Sequence, residues 1–156
     1  MNIEKTINFD MDGTIADLYG VENWLDYLIK LNPLPYKVAK PLVNMNVLAR
    51  KLNQLKRKGY KLNIISWLSK SSNAEYDKAV TSAKLYWLRK HLKSVKFDNI
   101  YIVPYGTPKH EIAKGYLFDD EVPNRVSWEN VKNGYAYDVG NIIEQLKSIE
   151  KSEKSY

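Results

Sequence analysis

The sequence predicts an α/β fold with a mainly parallel central sheet. Three observations carry the prediction. Short apolar runs rich in Ile, Tyr and Phe alternate with stretches whose apolar residues recur at helical spacing. Several of those runs end in a polar or acidic residue, as strands do where an open sheet meets its loops. The chain of 156 residues is the size of one domain, spanning 1–156, and is long enough to bury a core.

The elements follow in order. "KTINF" reads as a strand that stops at the acidic stretch "DMDGTIAD". Over 18–31, Leu18, Val21, Trp24, Leu25, Leu28 and Leu31 keep helical spacing, and Asp17 is placed to cap that helix. "NPLPYKVAKP" breaks the pattern with its prolines. A helix over 42–58 carries Val43, Val47, Leu48, Leu52 and Leu55 on one face and stops at Gly59. "YKLNIISW" is a strand, and "SKSSN" a polar loop in which Ser72 or Asn73 caps a helix over 74–92. The apolar face of that helix holds Ala79, Val80, Ala83, Tyr86, Trp87 and Leu92. "NIYIVPY" is a strand, "GTPKHEIAKG" a loop with one helical turn, and "YLFDD" a short strand ending in two aspartates. A short helix begins at Pro123, "YAYDV" is the last strand, and a helix over 141–149 faces Ile142, Ile143, Leu146 and Ile149 inward. "KSEKSY" reads as a frayed tail.

Composition narrows the chemistry. The chain has no cysteine, which excludes disulfides, thiolate metal sites and a cysteine nucleophile. No apolar run approaches the roughly 18 residues of a membrane span, and the start shows no leader pattern, so the expectation is a cytoplasmic protein. The net charge of +6 attracts phosphate-bearing partners, nucleic acid among them. However, Lys56, Arg57 and Lys58, and Arg89, Lys90 and His91, fall where helices end, and cations suit the macrodipole there.

In a parallel sheet, ligands sit at the carboxyl ends of the strands. That rule brings Asp10, Asp12, Ser66, Asp119 and Asp120 to one edge. Carboxylates so crowded need compensation, and oxygen-only ligands on short loops suit Mg²⁺. Gly13 allows a tight turn that frees amides for an anion, and Thr14 beside it joins the phosphate-binding candidates. Ser66 offers a hydroxyl, and Lys109 a positive charge ten residues before Asp119, with Lys114 as its rival. A carboxylate nucleophile with a second carboxylate close by is a workable phosphoryl-transfer set.

These residues resemble the haloacid dehalogenase-like phosphohydrolases. "FDMDGT" matches the first motif of that family, Ser66 in "LNIISW" the second, Lys109 the third and "YLFDDE" the fourth, in order. "DMDGTIAD", "KHEIAKGYLFDD" and "SWEN" further resemble its 5'(3')-deoxyribonucleotidases, although the segment before Trp128 is compressed and "SW" stands for their second motif. The resemblance implies a Rossmann-like three-layer sandwich with a small helical cap at about 18–41. It implies that Asp10 attacks phosphorus and Asp12 serves as acid and base, while Ser66 and Lys109 hold phosphoryl oxygens. Mg²⁺ would be held by Asp10, the Asp12 carbonyl and Asp119 or Asp120. The implied substrate is a small phosphorylated molecule, a nucleotide above all. Trp24 and Trp67 are candidates to stack on its base, with Tyr19, Tyr27, Tyr36 and Trp128 behind them. Packing between cap and core is the competing role for Trp24. A phosphatase of nucleic-acid ends and a non-catalytic binding module are the alternatives.

Overall fold

The structure, a computed structural model, describes residues 3–131 and 133–154. In chain order its elements are β1 (Thr6–Phe9), β2 (Ala16–Asp17), α1 (Trp24–Ile29), α2 (Leu34–Val38), β3 (Lys40–Pro41), α3 (Met45–Arg57), β4 (Lys61–Trp67), α4 (Ala74–His91), β5 (Asn99–Val103), a 3-10 turn (Lys109–Glu111), β6 (Tyr116–Phe118), α5 (Val122–Glu129), β7 (Tyr135–Tyr137) and α6 (Ile142–Lys154). The main sheet has five strands in the order β5-β4-β1-β6-β7. Every neighbouring pair in it is parallel.

Alternation along the strands makes the layers. Ile7, Phe9, Leu62, Ile64 and Phe118 face one side, where Leu48, Leu52 and Leu55 of α3, Trp87 and Leu88 of α4, and Ile142, Leu146 and Ile149 of α6 cover them. Ile65 and Leu117 face the other side, against Trp128 of α5. The result is helices, sheet, helix, with the core concentrated on the three-helix side. A row of asparagines, buried at Asn8 and Asn63 and exposed at Asn99, fixes the strand register. Asn99 donates to Asn63 (3.2 Å), Asn63 to Asn8 (2.9 Å), and Asn8 to the Tyr116 carbonyl (2.9 Å). These asparagines sit opposite one another across β5, β4 and β1, so slipping any strand would orphan a buried amide.

Several expectations are corrected. The helix over 18–31 is confined to α1. Gly20 lies in the expected stretch before α1, and the Asp17 carboxylate accepts from the Gly20 amide (3.0 Å), closing a turn instead of capping a helix. Asn23 then takes a left-handed conformation (φ 62°) just before α1, and Leu31 does so after it (φ 54°). Leu25, expected to face inward, is 53% exposed. The proline-rich stretch contains α2, because Pro33 and Pro35 fall at its start, where a missing N–H costs nothing. β2 and β3, too short to leave a period in sequence, pair antiparallel and bracket this insertion. α6 runs on through Lys154, so part of the supposed tail is helical, while Ser155 and Tyr156 lie outside the described residues. Tyr86 is 38% exposed and not on the buried face of α4. Trp128 is core, 1% exposed, with its indole N–H on the Gly115 carbonyl (2.9 Å), and cannot stack on a ligand.

Candidate active site

The strand order reverses at β1, since the chain leaves it toward β4 and β5 and later returns to β6 and β7. Open α/β sheets bind ligands in the crevice at such a point. Asp10 directly follows β1, and its amide donates to the Phe118 carbonyl (2.9 Å), which ties it to the end of β6. The next residues form a tight turn. The Met11 carbonyl accepts from the amides of Thr14, Ile15 and Ala16 at 3.1, 3.0 and 3.0 Å. Gly13 sits in the turn with φ 81°, and a Cβ there would collide with the Asp120 carboxylate. Glycine is required here by both backbone and neighbour.

The carboxylates converge as expected. Oxygens of Asp10, Asp119 and Asp120 lie within 4.8 Å of one another. The buried Thr14 hydroxyl lies 3.0 Å from Asp10 Oδ2 and 3.3 Å from Asp120 Oδ1. Lys109, also buried, donates to Asp10 Oδ1 (3.0 Å) and Asp119 Oδ2 (2.7 Å). Its ammonium stands 5.4 Å from the centre of the Trp67 ring, in cation–π range. The rival, Lys114, supplies only a backbone carbonyl to Asn8 here.

The electrostatics show the strain of this crowding. Burial alone would lower the Lys109 pKa, but the charges of Asp10 and Asp119 outweigh it and hold the pKa above its ordinary value. Asp119 is raised, first by burial and then by the Asp10 charge. Asp120 is raised from 3.8 to about 7 by burial, by its hydrogen bond with Asp10 and by the neighbouring charges. Glu121 is raised by burial and by Asp119 and Asp10. A divalent cation would relieve this pressure. Asp10, Asp119 and Asp120 offer the oxygen donors that a hard ion such as Mg²⁺ takes, so the donor set fits it.

Asp12 stands apart from that cluster. Its Oδ2 accepts from the ammonium of Lys84 (3.1 Å), a fully buried lysine of α4. Lys84 also donates to Ser66 Oγ (2.6 Å). Ser66 is itself fully buried at the end of β4, and because it accepts in that bond its own hydrogen remains to be given. Sequence reasoning missed Lys84. The available signal was its position among Val80, Ala83 and Trp87, on the apolar face of α4, where a lysine is out of place. It also missed Asn124, whose amide donates to Asp119 Oδ2 (3.2 Å) and helps fix that carboxylate.

A cleft of about 420 Å³ opens over these groups. Asp10, Asp12, Lys109 and Asp119 lie along it, as do Trp24 and Trp67. Trp24 meets Tyr19 edge-on at 5.1 Å, and Trp67 meets Tyr105 at 5.1 Å. Burial and the charge of Asp12 keep the Tyr19 phenol far above its ordinary pKa. Tyr27 is not among the residues along the cleft. Among the described residues no helix is long and apolar enough to cross a membrane.

No family model matches the chain, and no curated protein does. Among solved structures it is similar to the D,D-heptose 1,7-bisphosphate phosphatase from B. bronchiseptica, crystallised with magnesium and phosphate. The identity is 12%, the match covers 95% of this chain and 99% of that one, and the TM-score is 0.54. At that identity the likeness shows a shared fold.

Proposed function

We propose that the chain is a Mg²⁺-dependent phosphomonoesterase of the haloacid dehalogenase-like kind. The reading rests on one observation: Asp10, Asp119 and Asp120 converge on a common point with Lys109 beside them. The magnesium and phosphate in the B. bronchiseptica enzyme of the same fold support it. In this reading Asp10, Asp119 and Asp120, with the Asp12 carbonyl, would hold Mg²⁺. Bound there, the ion offsets the repulsion between an anionic nucleophile and a phosphate dianion.

A carboxylate oxygen of Asp10 attacks phosphorus, and the P–O bond to the leaving group breaks. Asp12 delivers a proton to the departing oxygen. Asp12 then removes a proton from water, which attacks the aspartyl-phosphate and frees phosphate and Asp10. Lys109 and Ser66 hold the phosphoryl oxygens, with the turn at Gly13 and Thr14 supporting them. Lys109 carries its proton throughout, because its carboxylate neighbours favour the charged form.

The substrate we favour is a nucleoside or deoxynucleoside 5'-monophosphate. The aromatic pairs Tyr19–Trp24 and Trp67–Tyr105 support a planar group in the cleft. The insertion over 18–41 acts as a minimal cap that supplies the first pair. The test is phosphate release from a panel of 5'- and 3'-mononucleotides, sugar phosphates and 5'- or 3'-phosphorylated oligonucleotides, with Mg²⁺ and with chelator. Release from 5'-mononucleotides that chelator abolishes is the expected result. A preference for oligonucleotides, with turnover falling steeply as salt rises, would move the substrate to nucleic-acid ends. No release from any monoester would leave a binding module.

A further inference from the structure

Among the described residues, Lys84 is the one buried cation of the site that this mechanism does not use. Its side chain is fully buried, and a buried ammonium is tolerated only when paired and hydrogen-bonded. The pairing is complete. Lys84 Nζ lies 3.1 Å from Asp12 Oδ2, 2.6 Å from Ser66 Oγ and 2.7 Å from the Trp67 carbonyl. The ring of Tyr36, from α2, closes the remaining side at 5.2 Å. An ammonium has three hydrogens and no acceptor, so these three oxygens use every hydrogen it has. None is left for a substrate oxygen. Lys109 differs, since it lies along the cleft and bonds two carboxylates of the cation cluster.

Taking the phosphatase reading of the cleft as given, we propose that Lys84 is a positioning residue for Asp12 and does not itself touch the substrate. Ser66 and the Trp67 carbonyl fix the ammonium, and the ammonium fixes one oxygen of Asp12. The other oxygen of Asp12 is thereby aimed into the cleft, where the leaving group needs its proton. Tyr36 brings the insertion onto the same lysine, so the acid–base group, the end of β4 and the insertion share one anchor.

The test compares Lys84→Met, Asp12→Asn and the double variant with the wild type, using a 5'-mononucleotide and 4-nitrophenyl phosphate. Lys84→Met should lower kcat on the nucleotide by about 100-fold, the low end of what a general acid supplies, with KM within about threefold. In the first turnover the loss should be much smaller on 4-nitrophenyl phosphate, whose leaving group departs without a proton, whereas the water step that Asp12 also serves is slowed for both substrates. In the Asp12→Asn background the second substitution should change kcat by less than about threefold, because residues that act as a unit are not additive. A KM raised tenfold or more with kcat retained would overturn the proposal by making Lys84 a substrate ligand. Equal losses in the first turnover on both substrates would overturn it by showing a general structural defect.

Should Lys84→Met alone unfold, the double variant removes both charges and is the one expected to fold. Where all four proteins fold, urea unfolding reads the pair directly; where Lys84→Met does not, a cooperative urea transition regained in the double variant reads it instead, and no such recovery would overturn the proposal. A coupling on the order of tenfold in the unfolding constant is expected, and additivity would overturn the proposal. If the wild type releases no phosphate from any monoester, the phosphatase reading falls. The same unfolding coupling still decides whether Lys84 anchors Asp12.

Discussion

At Gly13 the backbone and the chemistry constrain each other. The residue needs a positive φ, and its missing side chain leaves room for the Asp120 carboxylate. Gly13→Ala should therefore cost about 1–3 kcal/mol of stability and shift Asp120 out of the cation cluster, weakening Mg²⁺ dependence. Urea unfolding and a Mg²⁺ titration of turnover would check both effects. Asp120 gives a second prediction. Its pKa is raised from 3.8 to about 7, so the folded chain holds that proton more tightly than the unfolded chain does. The unfolded state then binds fewer protons across this interval, and stability must fall as pH rises through it. Without a divalent cation, Tm should drop between about pH 5 and pH 7.5, and the rise in Tm on adding Mg²⁺ should be larger at the higher pH. A larger Mg²⁺ effect at about pH 5 would contradict the assignment of Asp120 to the cation site. Asp10, Asp119 and Asp120 were legible from sequence because each follows an apolar run, and the ends of parallel strands meet. Lys84 was not, since only packing shows that the apolar face of α4 meets Asp12.

At the scale of elements, the insertion stands on a narrow stem. β2 and β3 contribute two residue pairs, Ala16 with Pro41 and Asp17 with Lys40. The Leu42 amide adds a bond to the Ile15 carbonyl (2.9 Å). α4 supplies the other support, because the fully buried Trp87 donates its indole N–H to the Ala39 carbonyl (2.8 Å). Trp87→Phe should leave that carbonyl unpaired and cost about 1–3 kcal/mol. It should also loosen the insertion and raise KM more than it lowers kcat, as steady-state kinetics on a mononucleotide would show. Strand and helix periods revealed α3, α4, α6 and the main sheet, and the cap at Asn73 was found, with its side chain accepting from the Tyr76 amide (2.8 Å). The stem was illegible because two-residue strands have no period. The region 18–31 misled for a related reason. Its apolar spacing is helical, but Gly20 and the turn closed by Asp17 win locally, and Trp24 meets Tyr19 beside the cleft.

At the scale of the molecule, the strand order sends the chain to one side of β1 and then to the other, so loops from β1, β4 and β6 open onto a single crevice. That topology brings Asp10 and Asp119, more than 100 residues apart in sequence, onto the same lysine. The parallel sheet could be read from alternating elements, and the common edge from the polar residues that close the strands. Of the aromatic residues along the cleft, Tyr19, Trp24, Tyr36 and Trp67 could be read as candidates, but Tyr105 could not, because it meets Trp67 only once β4 and β5 are paired. The central claim is that Asp10 is the nucleophile of a phosphomonoesterase, and phosphate release by Asp10→Asn beside the wild type tests it most directly. With Mg²⁺ and a 5'-mononucleotide, the wild type should turn over and the variant should fall by roughly 1,000-fold or more. Equal release by the two proteins would contradict the claim.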